Sequence, residues 1–183
     1  MKIAIDMDDT LTNTKEMQII LWKKYVENNP NDEFSIVLPN NINSFGIRYI
    51  DEFWDTYREQ LSFESSFKDN VSDILHKLLN DGHELSILSS RPDNKYKNLK
   101  ERMMTQFKKY DIPIKTIYTN VQDKGLFLEE LGIDMLIDDT VEHCLNALKH
   151  NKKAILFNSD INYDGIQTTD WIEVYQLIKE SRD

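Results

Sequence analysis

Two rhythms of apolar and polar residues alternate along this chain. Nearly continuous apolar runs, IAID (3–6), ELSILS (84–89), IKTIYTN (114–120), DMLID (134–138) and KAILF (153–157), have the length and β-branched content of strands buried on both faces. Between and after them lie segments with apolar residues at helical spacing: NVSDILHKLLNDG (70–82), NKYKNLKERMMTQFKKY (94–110), DKGLFLEELG (123–132), VEHCLNALKH (141–150) and DWIEVYQLIKES (170–181). Gly82 and Gly132 stand where two of them should stop. This alternation predicts an α/β fold, a doubly wound, Rossmann-like parallel sheet.

One interval interrupts the rhythm. Residues 12–68 separate the first strand from the next βα unit, and a structureless connection of that size is improbable in a compact domain. The interval reads TNTKEMQIILWKKYVENNP (12–30) and, later, RYIDEFWDTYREQLSF (48–63), both with helical spacing. Asn13 with Glu16 three positions on resembles a capping box, and Pro30 ends the first pattern. We therefore expect a core of residues 1–11 and 69–183 carrying a small helical cap, 12–68, inserted after the first strand. Trp22, Tyr25, Phe34, Phe45, Tyr49, Phe53, Trp54, Tyr57, Phe63 and Phe67 crowd this interval. A small helical core that needs large side chains to close accounts for most of them, and a minority could stack on a flat substrate.

Composition narrows the function classes. No stretch among the 183 residues approaches the uninterrupted apolar length a membrane helix needs. The single cysteine, Cys144, allows no internal disulfide, and a first strand starting at Lys2 leaves no room for a secretory leader, so a cytoplasmic protein is expected. A formal net charge of −10 argues against a nucleic-acid polymer as partner, because that binding relies on many Lys and Arg side chains. A small anion is a different matter, since one metal ion and one lysine can reverse the field locally.

Candidate chemistry collects at strand ends. The first strand ends in Asp6, the second in Ser89 and Ser90, and the fourth in Asp138 and Asp139. In an open parallel sheet the carboxyl ends share one edge, where ligands bind. Asp6 and Asp138 should meet there as oxygen ligands of a hard cation. Few carboxylates, with water and a substrate phosphate, is how Mg2+ is usually held. The spacing is not that of an EF-hand, since Leu11 and Met17 occupy the glycine and glutamate positions counted from Asp6. DINYDG (160–165) also begins like a calcium loop, but its twelfth position is Trp171, which leaves a surface loop as the better reading.

Asp6, Met7, Asp8, Asp9, Thr10 and Leu11 match the DxDxT signature of the haloacid dehalogenase-like phosphohydrolases, and Ser89, Lys124 and the Asp138–Asp139 pair resemble that superfamily's later motifs, in order. The resemblance implies that Asp6 is a nucleophile forming an aspartyl-phosphate and that Asp8 is the general acid/base. It also implies Mg2+ held by Asp6, the main-chain carbonyl of Asp8, and Asp138, with Asp139 behind them. Ser89 and Lys124 would clamp the phosphate oxygens, with Ser90 beside them. Carboxylate crowding should raise the Asp8 pKa. Within the superfamily, DMDDTL, ILSSRP, IDDT and the inserted cap look most like 5'(3')-deoxyribonucleotidases and their bacterial and phage relatives, which implies a nucleoside monophosphate substrate. The match is partial, since a form common there carries glycine, valine and phenylalanine where Asp9, Thr10 and Thr14 stand. Rival readings are a phosphatase of sugar phosphates or other small metabolites, and one acting on nucleic-acid ends. A phosphate-switched receiver module, not an enzyme, would need an acceptor aspartate at the third strand's end, where Tyr118, Thr119 and Asn120 stand.

Overall fold

The computed structural model describes residues 1–30, 47–158 and 162–181, with residues 47–50 described by their backbone alone. Phe34, Phe45, the Tyr49 side chain and Asp160 lie outside the described residues. The chain forms two compact units, one of Met1–Leu11 with Phe67–Asp183 and one of Thr12–Ser66.

The larger unit is built on β1 (Lys2–Ile5), β2 (Glu84–Leu88), β3 (Thr116–Tyr118), β4 (Met135–Asp138), β5 (Lys153–Leu156) and β6 (Ile166–Gln167). All neighbours pair in parallel, in the order β3-β2-β1-β4-β5-β6. The chain therefore leaves β1 to one side, adds β2 and β3, and returns across β1 to place β4 on the other. That reversal is the topological switch point of a doubly wound sheet, the crevice where ligands bind. Residues of β1 and β4 other than Lys2 are buried, as strands covered on both faces must be.

Helices of this unit follow the predicted patterns: α3 (Val71–Asn80), α4 (Leu99–Lys109), α5 (Lys124–Glu130), α6 (Val141–Lys149) and α7 (Trp171–Glu180). Gly82 and Gly132 both have positive φ, which explains why these two stops carry glycine. Leu88, Leu128, Leu136, Ala147 and Leu156 form one continuous core from β2, α5, β4, α6 and β5. Two predicted boundaries move. The pattern from 94 to 110 divides into a 3-10 turn at Asp93–Lys95 and α4, because Asn98 adopts a left-handed conformation that a continuous helix forbids. The third strand shrinks from seven residues to the three of Thr116–Tyr118, with Pro113 on one side and left-handed Asn120 on the other. β6 was not anticipated, since two exposed residues carry no periodic signal.

In the smaller unit, α1 (Thr14–Asn28) packs against α2 (Ile47–Phe63). Leu21, Trp22, Tyr25, Phe53, Tyr57 and Leu61 form its buried core, with the Trp22 ring 5.5 Å from Tyr25 and 5.4 Å from Phe53. These four aromatics close a helix pair too small to close with aliphatic residues alone. The expected capping box is absent: Asn13 makes no side-chain cap hydrogen bond, and its amide donates instead to Ser66 Oγ at 3.0 Å. Its main-chain N–H also donates to the Ser66 carbonyl at 2.8 Å, so Asn13 ties the two ends of this unit together.

The contact of α5 with α6 depends on one residue without a side chain. The Gly125 N–H donates to Asn146 Oδ1, and a Cβ at Gly125 would stand 2.6 Å from the main-chain carbonyl of Asn146. Gly125→Ala should therefore push the two helices apart and destabilise the fold by about 2 kcal/mol, the usual scale of core overpacking, as read from urea unfolding midpoints.

Candidate functional site

Register fixes the centre of the site. Ile5 pairs with Ile137, so the next residue on each strand, Asp6 and Asp138, falls side by side on neighbouring strands roughly 4.8 Å apart. The Asp6 main-chain N–H donates to the Ile137 carbonyl at 2.9 Å, extending the ladder to the end of β1. Two buried carboxylates so placed repel strongly unless a cation joins them.

Lys124 is that cation. Its ammonium bonds Asp6 Oδ1 and, at 2.6 Å, Asp138 Oδ2, and its side chain is completely enclosed. Burial alone would lower the lysine pKa, but Asp6 and Asp138 outweigh it and hold the pKa above its usual value. Lys124 is the first residue of α5, whose cap is Asp123, a side chain accepting from Leu126 N–H at 3.0 Å.

Asp138 is the best-supported carboxylate. Oδ1 accepts from Thr140 N–H at 2.9 Å, and His143 Nδ1 lies 3.1 and 3.2 Å from the two oxygens. An ionised carboxylate only accepts, which assigns the proton to Nδ1 of His143. Burial pushes the Asp138 pKa up, but the His143 hydrogen bond and Lys124 more than reverse it, and the net shift is downward. Asp6 goes the other way: burial raises its pKa well above the usual value, Lys124 opposes this, and Asp138, Asp8 and Asp139 add to the rise.

The remaining predicted residues fall into place less uniformly. Ser89 is buried and its Oγ accepts from the Arg91 N–H at 3.2 Å, so the hydroxyl keeps a proton to donate. Ser90 differs: its hydroxyl donates to the Val121 carbonyl at 2.9 Å, so its one proton is committed to the connection between β3 and α5. Asp8 is not chiefly crowded by carboxylates either, for Arg91 Nε and Nη2 bond its two oxygens at 2.9 and 2.7 Å. Asp139 sits beside Asp138 and its carbonyl accepts from Asn158 Nδ2 at 3.2 Å.

Sequence reasoning missed Arg91 and His143. Both sit close to motif residues, two positions after Ser89 and five after Asp138, and each contacts a carboxylate that was expected. An arginine or histidine near a loop is too common to mark by itself. A third unforeseen contact, Trp171 Nε1 donating to the Thr10 carbonyl at 3.1 Å, lets α7 pin the loop that follows β1.

The donor set fits Mg2+. Among the described residues no three His, Cys, Asp or Glu side chains form a ready-made cage, but magnesium needs only one or two carboxylates with waters and a substrate oxygen. Burial is the largest cause of the raised Asp6 and Asp139 pKa values, and neighbouring carboxylates add to both rises, a repulsion that a bound cation would relieve. Asp6, Asp138 and the main-chain carbonyl of Asp8 are the oxygens that would hold the ion.

Burial, then Asp138 and Asp9, push Asp139 from the usual 3.8 to about 7. Between those two values the folded chain keeps a proton the unfolded chain has lost, so this group's contribution to stability falls as pH rises through that window. Asp139→Asn should thus stabilise the metal-free protein by on the order of 2–4 kcal/mol above pH 7, with no gain near pH 4. Thermal unfolding at several pH values, in a chelator, measures it.

No family model matches this sequence, and no curated protein matches it. Solved structures do. A predicted phosphatase from Clostridium acetobutylicum is 20% identical, with 98% of each chain covered and a TM-score of 0.66. A proposed β-phosphoglucomutase from Thermotoga maritima is 14% identical, with 98% of each chain covered and a TM-score of 0.69. A candidate haloacid dehalogenase-superfamily (HAD) hydrolase, YfnB from Bacillus subtilis, solved with magnesium bound, is 12% identical, covering 97% of this chain and 98% of that one, with a TM-score of 0.70. With its parallel sheet and the Asp6–Lys124–Asp138 cluster at the switch point, the chain has the fold of the haloacid dehalogenase-like hydrolases.

Proposed function

We propose that this protein is a magnesium-dependent phosphomonoester hydrolase that works through an aspartyl-phosphate on Asp6. The observation that carries the reading is the enclosed ammonium of Lys124 joining Asp6 to Asp138 at the sheet's carboxyl edge, with buried Ser89 at the neighbouring strand end. The magnesium-bound neighbour supports the cofactor, and the neighbours described as a phosphatase and a phosphoglucomutase support a phosphorylated small molecule as substrate.

Each residue then has a chemical task. Lys124 holds Oδ1 of Asp6, leaving Oδ2 to attack phosphorus. As the Asp6–phosphorus bond forms and the bond to the leaving oxygen breaks, Asp8 gives that oxygen a proton. In the second half Asp8 takes a proton from water, the hydroxyl attacks phosphorus, and Asp6 leaves as a carboxylate. Ser89 and Lys124 donate to the nonbridging oxygens, where stabilisation of charge matters most. Magnesium, when bound, would neutralise carboxylate and phosphate charge and so let the dianion approach. His143 holds Asp138 in place, and Asp139 behind them would orient water or Lys124.

A nucleoside monophosphate is the substrate we assign, on the likeness of DMDDTL, ILSSRP and IDDT to the deoxyribonucleotidases. Trp22, Tyr25, Phe53 and Tyr57 are not the base-stacking residues, because they are buried in their own unit. No described helix is long and apolar enough to cross a membrane, and buried Cys144 is a free thiol, as suits the cytoplasmic location we assign.

The test is phosphate release from a panel of nucleoside 5'- and 3'-monophosphates, sugar phosphates and an aryl phosphate, with and without magnesium. Turnover of nucleotides that disappears in chelator is expected, and a sugar phosphate far outrunning them would replace the nucleotide assignment. Asp6→Asn should abolish turnover, by about 10⁴-fold or more, while the circular dichroism spectrum is unchanged.

A further inference from the structure

Arg91 lies in the ILSSRP segment but is given no role by the resemblance, yet it is 6% exposed and its fork closes on an Asp8 side chain that is 38% exposed. Two parallel bonds, from Nε to Oδ2 and from Nη2 to Oδ1, fix both the position and the plane of the carboxylate. A half-exposed aspartate left to itself would populate several rotamers.

The arginine is itself firmly held. Its main-chain N–H donates to Ser89 Oγ at 3.2 Å, and its carbonyl accepts from Asn120 N–H at 2.9 Å. The segment around it is tied to the β3–α5 connection by Val121 N–H to Ser89 O at 3.1 Å, Ser90 Oγ to Val121 O, and Gln122 Nε2 to Ser90 O at 3.3 Å. The same connection leads directly into Asp123 and Lys124. One cross-tied pair of loops therefore presents a cation to each of the two carboxylates at the end of β1, Lys124 to Asp6 and Arg91 to Asp8.

We propose that Arg91 is the positioning residue of the acid/base Asp8, fixing the carboxylate where it meets the leaving oxygen and then the attacking water. The inference rests on the hydrolase reading above, with Asp6 as nucleophile. Arg91 itself need not touch substrate, and a lysine in its place supplies charge without the planar fork.

The experiment compares wild type, Arg91→Lys and Arg91→Gln on two esters. One is an alkyl phosphate, whose alkoxide must be protonated as it leaves. The other is 2,4-dinitrophenyl phosphate, whose phenolate leaves without a proton. For the alkyl ester both variants should lose about 100-fold in kcat, the scale of general acid–base catalysis, with KM changed by less than about threefold. The first-turnover burst of dinitrophenolate, which reports Asp6 attack alone, should stay within about threefold of wild type. Unchanged alkyl turnover, or a burst slowed as much as alkyl turnover, would overturn the proposal. Crystal structures of both variants supply a reading apart from activity: a displaced or multiply oriented Asp8 supports the proposal, and an Asp8 still in its wild-type place refutes it. If wild type cleaves neither ester, the hydrolase assignment fails by itself, and the crystal structures still decide what Arg91 does.

Discussion

The site is organised around one enclosed ammonium group. The pairing of β1 with β4 sets Asp6 beside Asp138 whatever else happens, and two carboxylates out of water at that spacing cannot both stay ionised unaided. Lys124 resolves the conflict, at the expense of its own hydration. Removing one member of such a buried set commonly costs 3–5 kcal/mol, because an uncompensated charge remains inside. The arrangement is thus a poor source of stability and a strong constraint on geometry. Three consecutive residues meet that constraint: Asp123 caps α5, Lys124 reaches the carboxylates, and Gly125 lets α6 approach.

A chain with a formal net charge of −10 nonetheless keeps two cations, Lys124 and Arg91, buried at this edge and held charged by their carboxylate partners. Each is paired with one carboxylate of the DMD segment, and both come from connections that leave the strands on one side of β1. The division of labour matters chemically. Lys124 bonds one oxygen of Asp6, which suits the nucleophile role proposed for that residue. The Arg91 fork holds both oxygens of Asp8, which suits the acid/base role proposed for that residue. The difference between one point charge and a planar fork follows the difference in task.

The sequence made the strand–helix alternation legible because buried parallel strands and amphipathic helices leave strong periodic signals, and it made Asp6, Ser89 and Asp138 legible because they terminate those strands. What it hid was of another kind. β6 is two exposed residues long, and the Asn13 amide turned from helix capping to Ser66, across a separation no local pattern encodes. Arg91 and His143 were hidden because their importance lies in what they touch. Ser90 is harder to read: its position beside Ser89 suggests a shared role, and its hydroxyl turns to the Val121 carbonyl.

Asp9 joins the backbone argument to the electrostatic one. It has φ of +57°, a conformation that glycine adopts freely and that aspartate and asparagine tolerate better than other residues. The chain has only five glycines, and Asn70, Asn98, Asp111, Asn120 and Asn151 occupy further left-handed positions. Reading turns from glycine alone therefore misses most of them. At the loop after β1 the substitution is not electrically silent, because the Asp9 carboxylate adds to the rise in the Asp139 pKa. A glycine would satisfy the same turn without that charge. The loop thus shapes the backbone while adding negative charge of the kind that the proposed divalent cation would cancel, so the turn chemistry of the motif bears on its electrostatics.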